Sequence, residues 1–168
     1  MTELKWLNSY EGQTTDELLA LVGEYRADSL IVAFEAALLK KAHNIGQDKL
    51  SLEEKTVIMV EALEREVNNG GFDQFFANSS ALQTAELIEA LKRLGCAKAA
   101  EITQQAIDVL EIGEAPTAEA INRKMAHESE ERDKKLGECD NRFYDEVGDL
   151  ASSLLTFIQK NREKIKLK

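Results

Sequence analysis

The chain has 168 residues, 31 acidic and 21 basic side chains, a formal net charge of −10, 43% hydrophobic residues and one proline, Pro116. That apolar content excludes a disordered acidic chain, and the length predicts one domain over residues 1–168. The acid excess argues against direct binding of nucleic acid or an anionic membrane, and one proline with nine glycines is too little punctuation for a β-sandwich or barrel.

An all-α fold of about seven helices, with no sheet, is therefore expected, and the caps can be followed along the chain. Thr14-Thr15-Asp16-Glu17 reads as a capping box, in which hydroxyl and carboxylate each satisfy an orphan amide, with Leu18, Leu21 and Val22 on one face behind it. A second helix follows Ala27-Asp28, carries Leu30, Phe34, Ala37 and Leu38, and stops near Asn44-Ile45-Gly46. Ser51-Leu52-Glu53-Glu54 is a second capping box opening a long helix through Val67. Within it the β-branched run from Thr56 to Val60 could pass for a strand, but its Glu, Lys, Ala and Leu flanks favour helix.

Asn68-Asn69-Gly70-Gly71 should end that helix, and Phe72 to Asn78 should add one or two turns. Ser79 or Ser80 is the expected cap of the next helix, which carries Leu82, Leu87, Leu91 and Leu94 and closes at Gly95. Another helix is expected from about Lys98 to Ile112, closed by Gly113. A polar helix should run from Pro116-Thr117 to Lys135. A last one should begin near Cys139-Asp140, with Asp140 as N-cap, and pack through Phe143, Val147, Leu150, Leu154, Phe157 and Ile158. No repeat or low-complexity linker interrupts the pattern.

Little in the chain points to catalysis or cofactors. Cys96 and Cys139 are isolated, and His43 and His127 lack further ligands at metal-binding spacing, so no metal and no cofactor are expected. No phosphate loop, dinucleotide fingerprint or nucleophile elbow is present. The opening MTELKWLNSYEG has no basic-then-apolar leader and no apolar run is long enough to span a bilayer, so a cytoplasmic location is expected.

The segment from Glu64 to Ser80, EREVNNGGFDQFFANSS, stands apart. In structural terms, Gly70 and Gly71 break a helix, Phe72, Phe75 and Phe76 plug the core, and Asn69, Gln74 and Asn78 bond backbone groups left unpaired by the turn. In functional terms, Glu64, Asn69, Asp73 and Gln74 form a polar pocket beside an aromatic wall, the one place where an enzyme could be imagined.

The run from Glu66 to Ser80 resembles the signature of a bacterial family of small acidic helical proteins, long a domain of unknown function, whose best-known member is a double-stranded-DNA mimic. The signature positions are Asn69, Gly70, Gly71, Phe72, Gln74, Phe75, Phe76, Asn78 and Ser79. A second matching element is Asp140-Asn141-Arg142-Phe143-Tyr144, of which Asp140, Phe143 and Tyr144 carry the likeness. The resemblance covers roughly residues 51–161. Ala81 stands where the family usually has Gly after the paired serines, and the polar stretch Glu119 to Lys135 is a second departure. The resemblance implies an all-helical fold, dimerisation and, for the mimic member, capture of a helix-turn-helix transcription factor in place of operator DNA.

A mimic must present carboxylates spaced like phosphates on a surface poor in cations. Residues 101–159 hold 14 acids and 6 bases, whereas the tail 160–168 holds 1 acid and 5 bases. Residues seven apart on a helix face lie about 10.5 Å apart, and those three or four apart about 5–6 Å. Glu101, Asp108 and Glu111 form such a row; Glu114 follows, Glu131 and Glu138 repeat the spacing, and Asp145, Glu146 and Asp149 cluster. Glu54, Glu61 and Glu64 form a row that Lys55 and Arg65 partly neutralise. The tail cations are expected to cap a helix end and lie in solvent.

The expected function is thus a non-enzymatic acidic binding protein that imitates duplex DNA and sequesters a DNA-binding protein, such as a transcription factor or nucleoid protein. The alternatives are an acidic antagonist of a toxin or nuclease, and an enzyme using the pocket at 64–74.

Overall fold

A computed structural model of the protein describes residues 3–78, 83–113 and 115–168. Among these residues eight α-helices form: α1 (Thr15–Leu19), α2 (Ala27–Ile45), α3 (Leu52–Ala77), α4 (Thr84–Leu94), α5 (Ala97–Val109), α6 (Ala118–Met125), α7 (Glu130–Glu146) and α8 (Leu150–Lys160). A short 3-10 turn at Gln47–Lys49 joins α2 to α3. Extended pairing among the described residues is confined to isolated bridges of Tyr25 with Lys5 and Val22, so the fold is all-α.

The first three helix starts and stops follow their local chemistry. Thr14 caps α1 through the Glu17 amide, and the Glu17 carboxylate returns the bond to Thr14 N–H at 2.7 Å. Ser51 and Glu54 reciprocate in the same way at 3.0 Å in both directions. Gly46 ends α2 at φ +94°, a region open to glycine at no steric cost. Helix α3 is interrupted at Gly70 and Gly71, which adopt non-helical backbone angles, as expected from their positions.

Later boundaries differ from the sequence expectation. Helix α5 stops at Val109, three residues before Ile112, and Glu111 takes φ +49° in the turn that follows. The polar segment expected as one helix from Pro116 to Lys135 is two, because Ser129 caps a new helix by accepting from Arg132 N–H. Asp140 is not an N-cap of its own helix. It lies within α7, and the final helix starts at Leu150 behind Asp149, whose carboxylate accepts from Ser152 N–H at 2.9 Å. The caps expected at Ser79 or Ser80, together with Ala81, Leu82 and Glu114, lie outside the described residues.

Contacts divide the chain into two compact units, residues 1–61 with 149–168, and residues 62–148. In the first, α2 packs on α8 and α1, and Leu18, Leu30, Phe34, Leu38, Val57, Val60, Leu154 and Ile158 are fully buried. The tail cations are exposed, with Lys160 in the last turn of α8, but the chain between them is packed down. Ile165 and Leu167 are buried, Thr15 Oγ1 donates to Ile165 O at 2.6 Å, Ser51 Oγ to Lys164 O, and Lys41 Nζ to Lys166 O. Buried Glu54 receives Lys41 Nζ at 2.7 Å and Lys166 N–H at 2.8 Å, so the tail is strapped to the start of α3. In the second unit, α5 packs on α7 and α4, and Leu63, Val67, Phe72, Phe76, Leu91, Ile102, Ala106 and Ile121 form the interior. Each of these side chains larger than alanine contributes roughly 1.5–3 kcal/mol on burial.

Candidate partner-binding face and signature corner

The signature residues come together as a corner in the second unit. At Gly71, φ is +74°, and a Cβ there would lie 2.7 Å from Asp140 Cγ. Both backbone angle and space therefore demand glycine. Gly70 has a second reason: a Cβ would meet Gln74 Cβ at 2.8 Å. Beyond the break the chain resumes as helix, leaving new orphan amides, and Asp140 Oδ1 accepts from Phe72 N–H at 2.7 Å. Asp140 thus caps a helix start, but the second half of α3 and not its own. Burial pushes its carboxyl above the ordinary aspartate range, against the Phe72 amide that holds it down.

Other contacts clamp the same two segments. Phe143 meets Phe72 edge-on with ring centres 5.7 Å apart, and Tyr144 Oη donates to Val67 O at 2.7 Å, occupying a carbonyl at the end of the first half of α3. Phe72 stacks on Phe76, and Phe75 meets Phe76 edge-on. Gln74 and Asn78 do not bond backbone groups, as the sequence suggested; both donate to Glu66 Oε2, at 2.9 and 2.6 Å. Burial pushes the Glu66 carboxyl up, but these two amides and Arg65 together leave it below the usual glutamate range. Asn69 and Asp73 are exposed. Ser79 lies outside the described residues. The imagined polar pocket at 64–74 is thus a corner whose side-chain amides serve Glu66 and whose three phenylalanines are buried.

The candidate carboxylates are distributed over two helices and their ends. Glu101 and Asp108 lie on α5, Glu111 just beyond it, and Glu131, Glu138, Asp145 and Glu146 on α7; all are exposed. Asp149 is exposed too, but it belongs to the other unit, where it caps α8. Glu114 is outside the described residues.

The structure brings Glu101 and Glu146 together, and does so through cations. Arg142 donates to Glu146 Oε1 at 2.7 Å and to Glu101 Oε1 at 3.1 Å, and also reaches the Gln105 side chain. Lys98 sits 2.8 Å from Glu101 and 3.5 Å from Glu146. Lys98 first, then Arg142, holds the Glu101 carboxyl below its ordinary value; for Glu146 the order is reversed. Farther along, Lys135 pairs with Glu131 at 2.8 Å and lies in the field of Glu111 and Glu138. Asp108 accepts a bond from the neutral Gln104 amide at 2.8 Å, which leaves its charge in place.

The row expected along α5 is therefore neutralised at its Glu101 end and anionic at Asp108 and Glu111. The row of Glu54, Glu61 and Glu64 is not a surface feature, because Glu54 and Glu61 are buried. The sequence reading missed Arg142 as a partner of Glu101. Its spacing of four from Glu146 was a legible ion-pair signal, but the reach across to α5 was not.

Among the described residues no helix is long and apolar enough to cross a membrane, and no group of His, Cys, Asp and Glu is arranged to hold a metal ion. A family model described as DMP19-like protein matches residues 48–161, two-thirds of the chain. Neither the curated proteins nor the solved structures include a match to this chain.

Proposed function

The chain belongs to the DMP19-like protein family, and on that premise we propose that it sequesters a DNA-binding protein by imitating duplex DNA. The partner is a helix-turn-helix transcription factor or a nucleoid protein, whose Arg and Lys side chains take the carboxylates of α5 and α7 in place of phosphates. The observation that carries this reading is the charge of residues 62–148: 18 acidic against 10 basic side chains, a net of −8, with the described candidate carboxylates of α5 and α7 exposed. Such a surface attracts basic partners and repels nucleic acid. The signature corner contributes by holding α7 on α3, so that α7 carboxylates have a fixed bearing. Action from the cytoplasm, as a homodimer, is part of the same proposal.

The test is capture from a cell extract at low salt followed by elution with duplex DNA. DNA-binding proteins should elute, and binding to each purified one should fall steeply as salt rises. Salt-insensitive binding, or simultaneous binding of duplex and partner, overturns the mimic reading. Elution of a toxin or nuclease catalytic domain would favour the antagonist reading instead.

A further inference from the structure

Helix α2 of the first unit is buried around most of its circumference, and what it leaves open is apolar. Between Asp28 and Lys40 the residues it exposes are Val32, Ala36 and Leu39 alone. Val32 and Leu39 are 47% and 44% exposed. At about 100° per residue these three, with Asp28 before them and His43 after, fall within roughly a quarter of a turn. They form one stripe along the helix. A solvated helix face ordinarily carries charged or polar side chains, so this stripe is an unpartnered apolar face.

The stripe is symmetric end for end. Val32 and Leu39 lie about 5 Å to either side of a point between Glu35 and Ala36, and Asp28 and His43 about 11 Å to either side. A second α2 laid antiparallel on the first therefore sets Val32 level with the other copy's Leu39, and Asp28 level with its His43. The two ends are complementary in charge. Asp28 is a carboxylate, paired with Arg26 at 2.6 Å and still holding free lone pairs, while Lys40 and His43 bring N–H donors to the other end. Antiparallel helices also set opposite dipole ends side by side. At the midpoint Ala36 is small enough for the axes to approach to about 8–10 Å. We propose that a second copy of this chain covers the stripe, α2 against α2 in a two-fold antiparallel pair with Ala36 at the axis. An unrelated partner or a lipid surface has no need of that end-for-end match, and a net charge of −10 opposes an anionic bilayer. The inference rests on the homodimer of the proposed function, to which it gives a face, and not on DNA mimicry. The pairing residues are all on α2, so the dimer takes up none of the carboxylates of α5 and α7. A helix about 28 Å long buries an area at the low end of specific interfaces, below about 1,200 Å², and the dimer should be weak.

Sedimentation of the full chain from about 1 μM to about 500 μM should show a monomer–dimer equilibrium with a Kd on the order of 10 μM. Val32→Lys and Leu39→Glu each set a charge against an apolar side chain at two symmetric points, and each should weaken self-association at least about tenfold. Mixed in equal amounts, the two variants should restore it. In the mixed pair the new charges are opposite and level with each other, while the natural Leu39 and Val32 meet at the second point. A misfolded variant could not be rescued in this way. The register is read by copper-catalysed air oxidation, with the natural chain as the control for Cys96 and Cys139. Ala36→Cys should form a covalent dimer at least about tenfold faster than Val32→Cys, because the two copies of residue 32 lie about 10 Å apart along the axis. A natural chain that stays monomeric at the highest concentration overturns this proposal and the homodimer together, and leaves capture of a DNA-binding protein to its own test. A dimer that both charge substitutions leave unchanged, that the mixture fails to restore, or that cross-links equally well at 32 and 36 overturns the α2 face alone.

Discussion

The two units differ in the acidic side chains they bury: among the described residues Glu35, Glu54 and Glu61 are buried, and all three lie in the first. Residues 1–61 with 149–168 hold 13 acids and 11 bases, a net of −2, against −8 for residues 62–148. In the first unit the cationic tail supplies almost half of the bases, and it is fastened down: Lys164 reaches Glu53 at 2.8 Å, and the Lys166 amide meets buried Glu54. There a carboxylate is an internal fastener. In the second unit Asp140 plays that part for the Phe72 amide, while the carboxylates of α5 and α7 stay at the surface. The difference teaches that net charge is a poor guide to a binding surface until each acid has been assigned either to the fold or to solvent.

Substitutions that attack the fastening in each unit should break this comparison most strongly. Gly71→Ala combines a positive φ with a clash against Asp140, and should cost about 3 kcal/mol or more in urea unfolding. Gly23→Ala in the first unit, with φ +91° but open space around it, should cost only about 1 kcal/mol, the backbone share alone. Glu54→Ala strands Lys41 and two backbone amides, and should cost about 3 kcal/mol by the same measurement. An equal effect of both glycine substitutions would show that Asp140 does not crowd the corner.

Smaller effects sharpen the division of labour. Asp140→Ala leaves the Phe72 amide without its acceptor and should cost about 1–3 kcal/mol, whereas Asp140→Asn keeps an acceptor and should cost less. The sign of the pH dependence follows from the raised folded-state value of Asp140, whose main cause is burial. The native state binds this proton more readily than the unfolded chain, so ionisation between the ordinary value of 3.8 and the raised one costs stability. Relative to Asp140→Asn, the natural protein should therefore lose stability as pH rises through that window, seen in unfolding midpoints. A margin over Asp140→Asn that grows as pH rises through the window would contradict this.

The smallest expected effect is at Arg142. Glu101 and Glu146 titrate below 4.5 because Lys98 and Arg142 stabilise their charged forms. The contribution is present above that value and disappears as pH falls through the folded-state values. Arg142→Ala should lower the melting midpoint slightly near pH 7 and not at all in strong acid. It should also steepen the salt dependence of partner capture, because two carboxylates lose a shared cation.

Where the chain carries its own punctuation, local structure was legible. Thr14 with Glu17 and Ser51 with Glu54 marked helix starts through reciprocal bonds only three residues apart, and Gly70-Gly71 marked a break that no other residue pair could make as easily. The boundary near residue 140 misled for a physical reason. Asp140 has the chemistry of a cap, and a cap it is, but the amide it serves lies 68 residues earlier. Ser129 and Asp149, the caps actually used, lacked the glutamate three residues on that made the earlier boxes conspicuous.

The sequence by itself determined the all-helical fold, the helix break at the paired glycines, the aromatic core behind it and the concentration of acid in the later helices, because these depend on residue type and short-range spacing. Only the tertiary structure decided that Glu54 and Glu61 are interior and that Arg142 and Lys98 neutralise Glu101 and Glu146. Those outcomes depend on which helix faces meet. A charge's neighbours across a helix pair are set by packing and not by distance along the chain.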